Sequence, residues 1–243
     1  MSRLIVGLLA LGLSFAVNAE QVKLKFDGVN TTTSTKVRIN GSAYNVAMGS
    51  YNLVEGLSPN SQSLVGFCVD PYEYANSKFT TYEKSSLDAT DFRDKNGVVR
   101  ADGATRLANV QKLFDNAYAT LGSDNNKTAG FHLALWEIFN DNLNLASGDV
   151  QKSYYTNASV LGYAQGFLND LAGWSATNLY SLTMYASIGH WDGFGWCKDW
   201  VPGYQDFLVA KLNPPNEVPL PAALPMLLSG LVGLGLMGSR RKV

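Results

Sequence analysis

An excess of charge of either sign is the first thing this sequence lacks. Nineteen lysines and arginines stand against twenty acids, a formal charge of −1 over 243 residues. That balance gives no bulk attraction for a nucleic-acid backbone or an acidic partner. Cysteine is nearly absent as well: Cys68 and Cys197 are the only two, so at most one internal disulfide is available. A complete calcium loop is also missing. Asp88, Asp91, Asp94, Asn96 and Gly97 invite that reading, but the EF-hand spacing needs an oxygen ligand where Phe92 stands and a glutamate where Gly103 stands. The polar stretch from Glu73 to Asp102 therefore reads as a solvated loop, and no metal or cofactor is assigned. What the chain does have is 46% hydrophobic residues, enough for one good-sized core.

The two ends are specialised. Residues 1–19 read as a secretory signal, with Arg3 as its positive start, Leu4 to Phe15 as its apolar run and Val17-Asn18-Ala19 as a small-residue cleavage site before Glu20. Export to an oxidising compartment makes a Cys68–Cys197 disulfide the simplest use of the two thiols. Closing that loop of roughly 130 residues would contribute about 4–5 kcal/mol. At the other end, residues 213–221 form a stiff proline-rich linker, residues 222–238 an apolar helix and residues 239–243 a basic tail. As a helix, 222–238 spans about 25 Å against a ~30 Å hydrocarbon core. Membrane thinning and snorkelling of the tail cover that gap. The basic residues hold the tail in the cytoplasm and leave the domain outside.

Between these ends, residues 20–212 read as one ectodomain. Gln21 to Phe26 alternates as a half-buried strand does, and Asp27-Gly28 and Asn40-Gly41 are turn signals at hairpin spacing. Tyr44 to Met48 and Leu64 to Val69 continue the β pattern until Asp70-Pro71 ends it. Three helical stretches follow. The first carries Leu107, Val110, Leu113, Phe114, Ala117 and Leu121 and closes at Gly122; the third carries Val160, Ala164, Phe167, Leu168 and Leu171. The second, Gly130 to Phe139, is apolar most of the way round, so it belongs in the middle of the domain. Asn126 or Thr128 is positioned to cap it, and Asn140-Asp141-Asn142 to stop it. His132, Trp136 and Phe139 share one edge of it, and a buried imidazole there needs a partner. Leu179 to Ile188 and Gln205 to Ala210 read as late strands. His190 to Tyr204 reads as a long loop whose Trp191, Phe194, Trp196, Trp200 and Tyr204 are core aromatics or, in the alternative, platforms for sugar rings. The expected fold is α+β: an antiparallel β-sandwich or barrel with a helical subdomain, its first and last strand groups paired, plus one C-terminal transmembrane helix.

Val218-Pro219-Leu220-Pro221, the apolar helix and Arg240-Arg241-Lys242 together resemble a PEP-CTERM sorting signal, with Leu220 where that motif commonly has glutamate. The resemblance implies export by the Sec machinery and processing by a membrane-embedded exosortase, in Gram-negative bacteria that secrete exopolysaccharide. It implies an inner-membrane-anchored precursor and a mature protein at the cell surface or outside the cell.

Phe67-Cys68-Val69-Asp70 and Phe131-His132-Leu133-Ala134-Leu135-Trp136-Glu137-Ile138 resemble the two signatures of bacterial thioester domains. Tyr204 to Leu208 is similar to the closing strand of such domains. In that family a cysteine thiol and a glutamine amide condense into an internal thioester that captures a nucleophile on a surface. The departure is at the glutamine position, which is His132 here. An imidazole has no acyl carbon, so no Cys–Gln thioester can form at this site. The resemblance implies that Cys68 and His132 still face each other, as a hydrogen-bonded remnant in a binding module. Three other states stay open: a Cys68–Cys197 disulfide, a Cys68 nucleophile with His132 as base and Asp70 or Glu137 as orienter, or a metal held by Cys68, His132 and His190. The expected function is that of an exported adhesion or structural module, acting noncovalently on exopolysaccharide or surface glycans. The alternative is a Cys68/His132 acyl-transfer enzyme or covalent adhesin.

Overall fold

The computed structural model describes residues 19–94, 96–188, 190–194, 197–201 and 203–214, with the backbone alone for the segments between 190 and 201. The signal segment apart from Ala19, the sorting motif, the apolar helix 222–238 and the basic tail lie outside these residues. Among the described residues no helix is long and apolar enough to cross a membrane. The chain divides into two units between Lys211 and Leu212, and every element except the last residue of the final strand belongs to the first.

Three strands open the domain: β1 (Glu20–Ile39), β2 (Ser42–Glu55) and β3 (Gln62–Cys68). β4 (Thr80–Ser86) follows, then α1 (Gly103–Ala117), α2 (Asn125–Asn140), the short β5 (Val150–Lys152) and α3 (Ala158–Asp170). β6 (Tyr180–Ser187), β7 (His190–Phe194), β8 (Cys197–Val201) and β9 (Phe207–Leu212) complete it. Hydrogen bonding runs β2-β3-β9-β6-β4-β1-β5, and β1 also pairs with β2. That extra pairing closes six strands into a ring, so the barrel alternative holds. The early and late strand groups meet where β3 pairs with β9.

The turn chemistry explains why β1 is so long. Asn40 and Gly41 both adopt positive φ, 50° and 80°, as a two-residue hairpin turn requires, and Ile39 pairs with Ser42 across it. At Asp27-Gly28 only the glycine is in that region. The strand therefore does not reverse there; the register shifts between Phe26 and Thr31 and β1 continues. β4 lies in the stretch read as loop, because of its residues only Tyr82 is buried and periodicity has little to register. His190 to Tyr204, also read as a loop, contains the antiparallel β7–β8 ribbon, with Trp191 opposite Trp200. The side chains of the ribbon lie outside the described set.

α2 is the middle of the domain. Every residue from Thr128 to Phe139 is buried, and the helix packs on α1, α3, β1 and β2. Its cap is Asp124, whose carboxylate accepts from the Lys127 N–H, rather than Asn126 or Thr128. Asp141 ends it as expected. Gly130 lets α3 approach closely: a Cβ there would lie 2.5 Å from Tyr163 Cβ and 2.9 Å from the Val160 carbonyl.

Gly130→Ala should therefore cost about 1–3 kcal/mol through overpacking, despite alanine's better helix propensity. Gly162→Ala on exposed α3 surface meets nothing within 4 Å, and should be neutral or stabilising. Urea denaturation of the two variants checks this contrast.

Candidate functional site

Three side chains on one edge of α2 grip the end of β3. His132 Nε2 donates to the Cys68 carbonyl at 2.8 Å, and Trp136 Nε1 donates to the same oxygen at 3.0 Å. Asn140 Nδ2 donates to the Val69 carbonyl at 2.8 Å. Positions 132, 136 and 140 follow i, i+4, i+8, so they stack along the helix. β3 needs this grip because Asp70-Pro71 ends the strand just beyond. On the far side of β3, Gly66, Phe67 and Cys68 pair with β9.

Cys68 and His132 do face each other, with Sγ 3.3 Å from Nε2. The hydrogen bonds assign the imidazole tautomer. The Gly49 backbone N–H can only donate, and it reaches Nδ1 at 2.9 Å. Nδ1 is therefore the acceptor, and Nε2 carries the proton that goes to the Cys68 carbonyl. Gly49 itself has φ 142°, and a Cβ there would lie 2.0 Å from the Thr31 carbonyl oxygen. Only glycine fits this backbone against β1 and so holds the N–H in place at the ring. Around the imidazole stand Tyr51, Phe67 and Trp136, with ring centroids 5.9, 5.8 and 4.9 Å away.

Burial sets the charge of the pair. It pushes the Cys68 thiol up to about 12, against a smaller lowering by a hydrogen bond with the Tyr51 hydroxyl. It pulls the His132 imidazole down to about 4, against a smaller opposing effect of the Cys68 carbonyl. At neutral pH the pair is thus thiol and neutral imidazole. Neither proposed orienter reaches His132. Asp70 caps the Tyr72 N–H at 2.7 Å, and Glu137 Oε2 accepts from the Asn144 N–H at 3.1 Å. Glu137 Oε1 is buried without a hydrogen-bond partner, and burial, with Asp141 nearby, lifts this carboxyl to about 8.

The other sequence-derived sites fare differently. Cys68 is a free thiol, so the disulfide with Cys197 is not formed at its end; the strand end is instead committed to His132 and Trp136. The side chains of Cys197 and His190 lie outside the described residues. Among the described residues no group of three or more His, Cys, Asp or Glu could hold a metal ion. The acids of the supposed calcium loop bind their own backbone: Asp88 caps Thr90, Asp91 caps Asp88, and Asp94 caps Asn96 and Val98. Gly49, Tyr51 and Asn140 belong to the site and escaped sequence reasoning. Asn140 alone left a signal, its i+8 spacing from His132.

Cys68 and Trp136 also lie on the floor of a cavity of about 550 Å³. Its walls include Phe26, Tyr51 and Phe207, while Tyr44 and Tyr74 stand exposed at its mouth. Cys68 thus lines the cavity, whereas His132 does not and is fully buried.

The tautomer and burial carry a sign for stability. Unfolded, His132 titrates near 6.5, whereas folded it stays neutral down to about 4. Between those values the unfolded chain takes up a proton that the folded chain refuses, so lowering the pH through this window removes stability. The loss should be about 3 kcal/mol. Glu137, and Glu73 and Asp206 with values near 7, act in the opposite sense, because the folded state holds their protons longer. Subtracting the pH profile of His132→Gln from that of the wild type isolates the histidine. Parallel profiles between pH 6.5 and 4 would contradict a buried neutral imidazole.

No protein-family model matches the chain, and no curated protein matches it. A solved structure that it is similar to is the N-terminal thioester domain of protein F2 like fibronectin-binding protein from Streptococcus pneumoniae. The two share 10% sequence identity at a TM-score of 0.44, over 78% of this chain and 99% of that one.

Proposed function

We propose that the chain is an exported surface module that adheres without forming a covalent bond, built on a thioester-type site whose acyl donor has been replaced by His132. The observation that carries this reading is the 3.3 Å approach of Cys68 Sγ to His132 Nε2, at the two motif positions where the family places thiol and amide. Both ring nitrogens are committed, Nδ1 to the Gly49 N–H and Nε2 to the Cys68 carbonyl. A general base needs a free lone pair directed at the thiol, and this imidazole offers none. That argues against the acyl-transfer enzyme. The sorting-signal resemblance at the C-terminus adds the route: Sec export, an inner-membrane-anchored precursor, exosortase processing, and a final place at the cell surface or in a polysaccharide matrix.

In a thioester domain the cysteine sulfur bonds to the glutamine acyl carbon and the C–N bond breaks, releasing ammonia. The wild-type protein should show neither that loss of about 17 Da nor labelling by methylamine, because fixed proximity alone cannot make an imidazole an acyl donor. His132→Gln restores the missing amide within reach of Cys68, and some fraction of it should lose ammonia and react with methylamine. Cys68→Ala in that background should abolish both. Wild-type protein that already reacts with methylamine would overturn the proposal.

The sorting route has its own readout. Intact mass of the protein from cells with an active exosortase should begin at Glu20 and lack the C-terminal apolar helix. A mature species that keeps Leu231 to Val243 would refute processing.

A further inference from the structure

One edge of β2 is used in an orderly way and then stops being used. Starting from the Ile39–Ser42 pair that flanks the hairpin turn, hydrogen-bonded and non-bonded pairs alternate along β1 and β2. The main-chain groups of residues 43, 45, 47 and 49 consequently point away from β1. Further along the strand this outer edge belongs to β3, from Tyr51 to Glu55. At Gly49 the N–H goes to His132, and at Ala47 the carbonyl accepts from the Tyr51 hydroxyl. Beyond that point no strand pairs with it among the described residues, so Ala43 and Asn45 present N–H and C=O groups outward.

An exposed edge is ordinarily blunted by a charge, a proline or a bulge. Ser42 to Ala47 contains no charged residue and no proline, and the register there is unbroken. The edge opens onto the cavity above Cys68. Ser42 and the four residues from Tyr44 to Ala47 all line it. Consecutive residues of a strand can share one lining only when the strand's edge, rather than a face, is turned toward it. The segment Pro71 to Ala75, which starts in a turn, lines the same cavity, and Phe26, Trp136 and Phe207 add apolar surface to it. Among the described residues no lysine, arginine or histidine lines the cavity, and Glu73 is the only acid that does.

We propose that this edge takes a short uncharged peptide, in extended form, as an added strand. Its main chain pairs with Ala43 and Asn45, and alternate apolar side chains enter the ring-lined cavity. Main-chain pairing supplies the affinity and the cavity the selectivity, as in other strand-addition sites. A free edge of two or three pairing positions and a cavity of about 550 Å³ suit a segment of a few residues. The proposal rests on the reading of the domain as a noncovalent adhesion module and specifies its site.

The test is selection from a phage-displayed library of random dodecapeptides on the purified full chain, with Asn45→Pro as the counter-selection. Proline removes the outward N–H of residue 45 but none that bonds β1. Selected peptides should alternate apolar residues and should bind Asn45→Pro at least about tenfold more weakly in calorimetry. On the wild-type protein itself, N-methylation of alternate peptide residues should abolish binding in one register and spare it in the other. That arm holds even if the proline variant is misfolded. No enrichment, or equal loss in both N-methyl registers, overturns the proposal. Concentration-dependent dimerisation lost in Asn45→Pro would assign the edge to a second copy instead, and binding of cellohexaose without any peptide would assign the cavity to a glycan; either overturns it. If the library fails while wild-type protein stays inert to methylamine, only the peptide is lost and the noncovalent module stands.

Discussion

The domain depends on the grip of α2 on the end of β3. His132, Trp136 and Asn140 hold two successive carbonyls, Cys68 and Val69, just before Asp70-Pro71 releases the chain from the sheet. These carbonyls would otherwise end a buried strand with acceptors unsatisfied, at a cost of about 1–3 kcal/mol each. The grip also fixes where α2 lies against β3. From that placement follow the burial of the helix on every side, the approach of α3 at Gly130 and the aromatic box around His132. His132 is thus a structural hydrogen-bond donor first, and its nearness to a thiol is a consequence.

This geometry decides the chemistry. A thiol and an imidazole 3.3 Å apart are the raw material of a nucleophile and its base. Two conditions are unmet. The imidazole has its proton on the nitrogen next to the sulfur and its lone pair on the Gly49 N–H. Burial, moreover, moves each pKa away from ionisation, the thiol up and the imidazole down. An ion pair here would lose more in desolvation than proximity returns. At neutral pH the pair is a thiol beside a neutral imidazole, and one side-chain replacement separates it from a thiol facing an amide.

The same strand, β2, serves both the pair and the open cavity. Its outer edge passes in order from β3 to His132, to Tyr51 and then to solvent. A change at Gly49 would therefore be felt at the imidazole and along the free edge together, since one backbone carries both.

Much was legible in the chain because local physics governs it. The all-round apolar pattern of Gly130 to Phe139 placed that helix at the centre, since burial is the only way to shelter such a surface. Asn40-Gly41 marked a real turn, and the short motifs around Cys68 and His132 anticipated that the two would meet. Other features were decided only by tertiary structure. Asp27-Gly28 became a bulge because neighbouring strands extend β1 beyond it, and β4 formed in a polar stretch because β1 and β6 offer it two edges. Asn140 reads locally as a helix stop; its partner, the Val69 carbonyl, is 71 positions away. The identity of His132 was written in the sequence, but its tautomer and charge were not. Those depend on a glycine N–H from β2, a carbonyl from β3 and the exclusion of water, which exist only once the three elements have packed.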